Sequence, residues 1–301
     1  MCMITPAQSL TVTRDYKSRM FTMIFHEKRE LLELYNAVSG KDYKDPEQLI
    51  ITTLDNAIYM SMKNDVSFII HSQLSLYEHQ STYNPNMPLR FFLYLADVYS
   101  TLIIGKNLYG KKKIQIPAPK FIVFYNGTDE RADYEELKLS DLYIAQDEDV
   151  ALELKVVMLN INLGHNHKLL ESCKTLHDYA EYTFRVRKYA KDMPIEEAVE
   201  KAIVECIQGN ILREFLEHHR AEAKAMSIYE YNEEEHMRME REESYAEGKA
   251  EGKAEGKAEG KVEGITEAVR RMLKNGCSCE NIASLLDMDV EKVQQIEKES
   301  V

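Results

Sequence analysis

Three observations along residues 14–230 predict an α/β domain with a mixed sheet flanked by helices and followed by a helical extension. Helical spacing at 19–40 and 87–105 brackets short apolar runs. Those runs are rich in β-branched and aromatic residues and are bounded by Pro, Asn and Gly. From about 167 to 231 the pattern is helical again. One helix, then strands with an interposed helix, then more helices is the signature of a sheet covered by helices.

"RMFTMIFHEKRELLELYNAVSG" (19–40) repeats apolar residues at three- and four-residue steps and ends in Gly40, so it reads as one amphipathic helix with a glycine stop. "NAIYMSM" (56–62), "DVSFIIHSQ" (65–73) and "LSLYEHQS" (74–81) read as three short strands. "MPLRFFLYLADVYSTLIIG" (87–105) returns to helical spacing, with Pro88 suited to a first turn. "KFIVFYNG" (120–127) and "ALELKVVMLNIN" (151–162) read as buried strands. The clearest late helix is "EEAVEKAIVECIQGNILREFL" (196–216). Tyrosines in "YEEL", "DLYIAQ" and "HDYAEY" fall at helical or loop positions, where a half-buried ring is expected.

Residues 231–265 form a charged linker containing four copies of Ala-Glu-Gly-Lys at 246–261. A four-residue period stacks like residues at i and i+4, so no Glu–Lys pair in the repeat supports a helix. Each Gly costs about 1 kcal/mol against Ala there. A frayed helix or flexible tether is expected. Residues 266–301 read as three short helices resembling a helix-turn-helix, with Gly276 ending the first and Ser278 and Asp289 capping the others. From Gly276 onward acids outnumber bases, which suits a docking or oligomerisation bundle better than DNA reading.

Hydrophobic content of 44% and charged content of 30% describe a globular chain rather than a disordered one. No apolar stretch reaches the roughly 18 residues a membrane helix needs. Five scattered cysteines, an odd count, argue against a disulfide framework. A cytoplasmic protein with no membrane partner and no small-molecule cofactor is expected. Net charge is −13, of which residues 221–301 carry −8 and the rest −5. Within that rest, "KNLYGKKKIQIPAPK" (106–120) holds five lysines and no acid, a basic patch compatible with a phosphate backbone or with a solvated loop.

The most informative stretch is "NDVSFIIHSQLSLYEHQST" (64–82). A two-residue turn at His71-Ser72 pairs residues whose numbers sum to 143, setting Asp65 across from Glu78, with Gln80 on the same face as Glu78. Facing carboxylates repel and raise one another's pKa. A shared Mg²⁺ or Mn²⁺ removes that penalty. His79 then points to the other face, packed or hydrogen-bonded away from the acids.

Asp65, Glu78-x-Gln80, "YNPNMPLR" (83–90), "FYNG" (124–127), "LELKVVMLNIN" with the following "GHN", and the Glu-Gly repeat resemble one group. It is the recombination-promoting nuclease and putative transposase family, within the PD-(D/E)XK nuclease superfamily. The resemblance covers roughly residues 14–265 and implies a restriction-endonuclease-like, four-stranded mixed sheet and Mg²⁺-dependent cleavage of DNA, associated with recombination or mobile elements. By that resemblance Asp65 and Glu78 are the two acids, and Gln80 stands where many superfamily members have lysine. A glutamine orients water by neutral hydrogen bonds but cannot lower its pKa by charge.

Asp55 is the first candidate for a further metal-ligating acid, with Glu27 or Glu30 second. Arg90 and Lys111, Lys112 and Lys113 are candidate DNA phosphate contacts, Arg90 alternatively bracing Glu78. His165-Asn166-His167 fits a loop or capping role better than a metal site. A homodimer is expected if both DNA strands are cut. The competing reading is a nuclease-fold protein that no longer cuts and binds DNA or protein instead.

Overall fold

A computed structural model describes residues 19–53, 65–145 and 149–299. The chain divides into two compact units, one ending at Glu234 and one beginning at Glu235. No helix among the described residues is long and apolar enough to cross a membrane.

The first unit is an α/β unit centred on a mixed sheet that has six strands among the described residues. These are β1 (Ile50–Ile51), β2 (Val66–Ile70), β3 (Gln73–Gln80), β4 (Ala118–Tyr125), β5 (Tyr134–Lys138) and β6 (Lys155–Asn160). Their spatial order is β1-β2-β3-β4-β6-β5. β1–β2, β2–β3 and β5–β6 are antiparallel, whereas β3–β4 and β4–β6 are parallel. A parallel neighbour requires the chain to return to the far end of the sheet, and helix α3 (Met87–Leu102) carries it back between β3 and β4.

The predicted register of the hairpin holds. Val66 pairs with Tyr77 and Ile70 with Gln73, both sums being 143. His71 (φ 45°) and Ser72 (φ 63°) both adopt left-handed backbone, the geometry of a type I′ turn, without the Asn-Gly that usually supplies it. The His71 ring is held by stacking on Tyr43 at 4.8 Å and by a 2.9 Å hydrogen bond to Gln48 Oε1.

Alternation along the strands splits the core in two. Phe68, Tyr77 and Phe124 face a layer made by α1 (Arg19–Ile24), α2 (Lys28–Ser39), α4 (His167–Ser172), α5 (Lys174–Ala190), α6 (Ile195–Gln208), α7 (Arg213–His218) and the start of α8 (Arg220–Lys274). Leu74, Leu76 and Val123 face α3, meeting Met87, Phe91 and Tyr94.

Several expectations change. The single helix at 19–40 is two, α1 and α2. Phe25 leaves the helix to bury against Phe21 (ring centroids 4.7 Å), and Glu27 is extended before α2. Periodicity misses this break because both helices bury the same face. Gly40 does stop α2, at φ 65°. The helix at 196–216 is likewise two, because left-handed Asn210 (φ 58°) and Leu212 (φ 44°) turn the chain so that Leu212 and Leu216 both reach the core. "YEEL" is edge strand β5, paired to β6, and not helix or loop. Tyr179 and Tyr182 in "HDYAEY" are fully buried. The expected strand at 56–62 lies outside the described residues.

The Ala-Glu-Gly-Lys repeat is helical and lies within α8. In the second unit the end of α8 packs with α9 (Cys279–Leu286) and α10 (Val290–Lys298) through Val269, Ile282 and Val293. Ser278 caps α9 by accepting from Asn281 N, and Asp289 occupies the cap position of α10 without a side-chain bond.

Candidate functional site

Asp65 and Glu78 meet at the end of the β2–β3 hairpin opposite its turn. Glu78 is in β3, on the face toward α3. Asp65 immediately precedes β2, one residue beyond the last ladder pair, Val66–Tyr77. Continuing the register sets the two acids across from each other, and both are buried, at 9% and 2% exposure.

Each carboxylate is bound locally. Asp65 Oδ2 accepts from the His79 amide at 2.7 Å, and Glu78 Oε1 accepts from the Asp65 amide at 3.3 Å. Glu78 Oε2 lies 3.4 Å from Arg90 Nη2. Gln80 shares the face two residues along and lowers the Glu78 pKa from there. The structure therefore brings Asp65, Glu78, Gln80 and Arg90 into one cluster.

Burial pushes the Glu78 carboxyl well above the ordinary carboxylate range, and the charge of Asp65 pushes it further. Arg90, the Asp65 amide and Gln80 act against the rise without cancelling it. Arg90 is itself fixed by Tyr94, whose hydroxyl oxygen accepts from Nη2 at 2.9 Å and from Nε at 3.3 Å. Tyr94 was not anticipated. Its signal is the i, i+4 spacing from Arg90, which places both on the face of α3 that covers the acids. The Tyr94 hydroxyl is pushed up by burial and by Glu78.

His79 points the other way, as expected. Its Nε2 meets Tyr179 OH at 3.0 Å and its ring stacks on Phe21 at 5.2 Å. Burial, then Arg187, lowers its pKa to about 3, so it is a neutral anchor for the strand whose amide holds Asp65.

Other predicted residues lie elsewhere. Lys111, Lys112 and Lys113 are exposed in the loop between α3 and β4. Because β4 is parallel to β3 and Ala118 pairs with Gln73, that loop sits at the hairpin-turn end of the sheet. Five residue steps along β3 lead from Gln73 to Glu78, about 17 Å at about 3.3 Å each. These lysines do not join the acids. Glu27 and Glu30 belong to the helical layer on the opposite face, where they line a groove with Lys174 and Arg213. Asp55 lies outside the described residues. His165 and Asn166 do have a loop role: His165 Nδ1 meets Asp133 Oδ1 at 2.6 Å, and Asn166 Nδ2 donates to Asn160 O at 2.8 Å. No group of three or more metal-ligating side chains occurs among the described residues.

No protein-family model matches this chain, and neither does any curated protein or solved structure.

Proposed function

We propose that the protein is a cytoplasmic, divalent-metal-dependent DNA endonuclease of the restriction-endonuclease-like kind, as its resemblance to the recombination-promoting nucleases implies. The observation that carries the reading is the pair of buried carboxylates, Asp65 and Glu78, facing one another beside Gln80. A pair that serves packing alone has no reason to bury two acids against each other.

The donor set fits a hard cation: two buried carboxylates facing each other, whose repulsion Arg90 offsets in part. Asp65 and Glu78 would hold Mg²⁺ or Mn²⁺, which when bound supplies an activated water and stabilises charge on a phosphoryl oxygen. The chain's own residues do the rest. The His79 amide keeps the Asp65 carboxylate turned toward Glu78. Gln80 orients a water by neutral hydrogen bonds. Arg90, pinned to Tyr94, would offer a cation to a substrate phosphate.

A second reading, a nuclease-fold binding module that does not cut, is favoured by one observation. Both Glu78 oxygens already have protein partners, Asp65 N–H and Arg90. Supercoiled plasmid DNA incubated with Mg²⁺ separates the two. The wild-type protein is expected to nick it, with activity lost in EDTA and reduced at least about 100-fold in Glu78→Ala, as removal of a residue acting in the transition state costs. Equal nicking by both proteins refutes catalysis at this site.

A further inference from the structure

We propose that the loop between α3 and β4 is a single-stranded nucleic-acid binding site, separate from the acid cluster. The proposal rests on the reading of the protein as one that acts on nucleic acid, and it names the form of the strand and the place that grips it.

The loop exposes apolar side chains that a solvated connection has no reason to carry. Tyr109 is 99% exposed, Ile104 79%, Leu108 63% and Ile116 49%. The loop is not loosely built. Tyr99 OH donates to Pro117 O at 2.7 Å, Ala118 N bonds Ser72 O at 3.2 Å, and Asn107 Oδ1 takes the Tyr109 amide at 3.0 Å, fixing the turn that presents Tyr109. Around these residues stand five lysines between 106 and 120, with no acid in that span. None of the five forms an ion pair with an acid among the described residues. On a chain of net charge −13, such a patch is complementary to a polyanion.

Shape decides which polyanion. Beside the loop lies a groove of about 660 Å³, with an apolar floor that includes Ile69, Leu102 and Ile116 and with Lys106 and His71 among its lining. A bilayer calls for an apolar tip alone, whereas a groove edged by Lys106, followed in the chain by a turn that exposes Tyr109 and Lys111 to Lys113, accepts unstacked bases while the lysines follow the backbone. A duplex keeps its base faces stacked and offers nothing for Tyr109 or the apolar floor to contact. The loop rejoins the sheet at Ala118, opposite Gln73 and about 17 Å along β3 from Glu78, so it would hold strand flanking the cleaved bond, not the bond itself.

The test uses the full chain carrying Glu78→Gln, so that binding is read without cleavage. Fluorescence anisotropy follows a labelled 20-nucleotide oligo-dT across a salt series, with the matching duplex and with phosphatidylserine–phosphatidylcholine vesicles as comparison arms. Replacing Lys111, Lys112 and Lys113 by Ala together is expected to lower the slope of log K against log salt by about 2, at roughly 0.7 per phosphate contact. Tyr109→Ala is expected to weaken binding about 5- to 150-fold with the slope unchanged, the effect of losing one stacked base. Both changes are exposed, and circular dichroism with thermal melting confirms that the variants fold. Oligo-dT affinity unaltered by either variant overturns the proposal, as does tighter binding to vesicles or duplex that the same variants abolish. The hydrolytic reading fails separately. If the wild-type chain never nicks plasmid, catalysis falls while the loop site stands, and if it nicks but the loop variants bind normally, only the loop site falls.

Discussion

Replacing Glu78 by Gln should tilt the pH dependence of stability in the metal-free protein by a calculable amount. Unfolded, Glu78 releases its proton near the ordinary 4.5; folded, it holds that proton to a much higher pH, first because it is buried and second because Asp65 faces it. Between those two values folding takes up one proton. Its contribution is therefore complete below about 4.5 and is lost as pH rises through the folded value, at up to about 1.4 kcal/mol per pH unit. His79 works in the opposite sense. Its pKa falls from 6.5 to about 3 on folding, so its contribution is complete above 6.5 and is lost as pH falls toward 3. Where the two ranges overlap above 4.5, the Glu78 slope opposes the His79 slope in the wild type. Glu78→Gln removes the Glu78 slope and leaves the opposing His79 slope in place.

The difference between the two proteins should change by up to about 1.4 kcal/mol, or about 3–6 °C in melting temperature, per pH unit from about 4.5 to the pH at which the folded Glu78 ionises, and be flat beyond it. Differential scanning calorimetry in EDTA at half-unit intervals from pH 5 to 8 reads it directly. Every other titrating group is common to both proteins and drops out of the difference. Parallel curves would show that Glu78 titrates normally and that the two acids do not share a buried site.

Three other outcomes are expected. His71→Asn with Ser72→Gly should raise stability by about 1 kcal/mol in urea unfolding, because both positions already have positive φ and the pair suits a type I′ turn. No gain would mean that the His71 contacts to Tyr43 and Gln48 outweigh the backbone term. Gly127→Ala should cost about 3 kcal/mol or more, since a Cβ there would lie 2.3 Å from Ser81 O and 2.5 Å from Tyr125 OH; a chemical-denaturation midpoint within error of wild type contradicts that packing. Arg90→Met leaves Glu78 buried without its cation and should cost up to about 3 kcal/mol at a pH where Glu78 is ionised, and less as pH falls and Glu78 takes up its proton. A pH-independent loss would assign Arg90 to packing on Tyr94 alone.

Much of the acid cluster is legible in the sequence because it is local. Side chains alternate along a strand with period two, and a two-residue loop admits a single register, so Asp65, Glu78 and Gln80 fall on one face and His79 on the other without any knowledge of the rest of the chain. The helix at 87–105 and the strands at 120–127 and 151–162 come from the same kind of local pattern, with ends that shift by a few residues. Breaks at Phe25–Glu27 and at Asn210–Leu212 escape it, because a helix that stops and resumes on the same buried face keeps its apolar spacing.

What only the tertiary structure decides is which distant segments share an end of the sheet. α3 packs on the acid-bearing face and delivers Arg90 and Tyr94 to Glu78, while α5 supplies Tyr179 behind His79. The parallel pairing of β4 with β3 sends the lysine loop to the hairpin-turn end of the sheet, away from the acids. Periodicity records which face a residue occupies, whereas strand direction and order come from long-range burial that no short window of sequence contains.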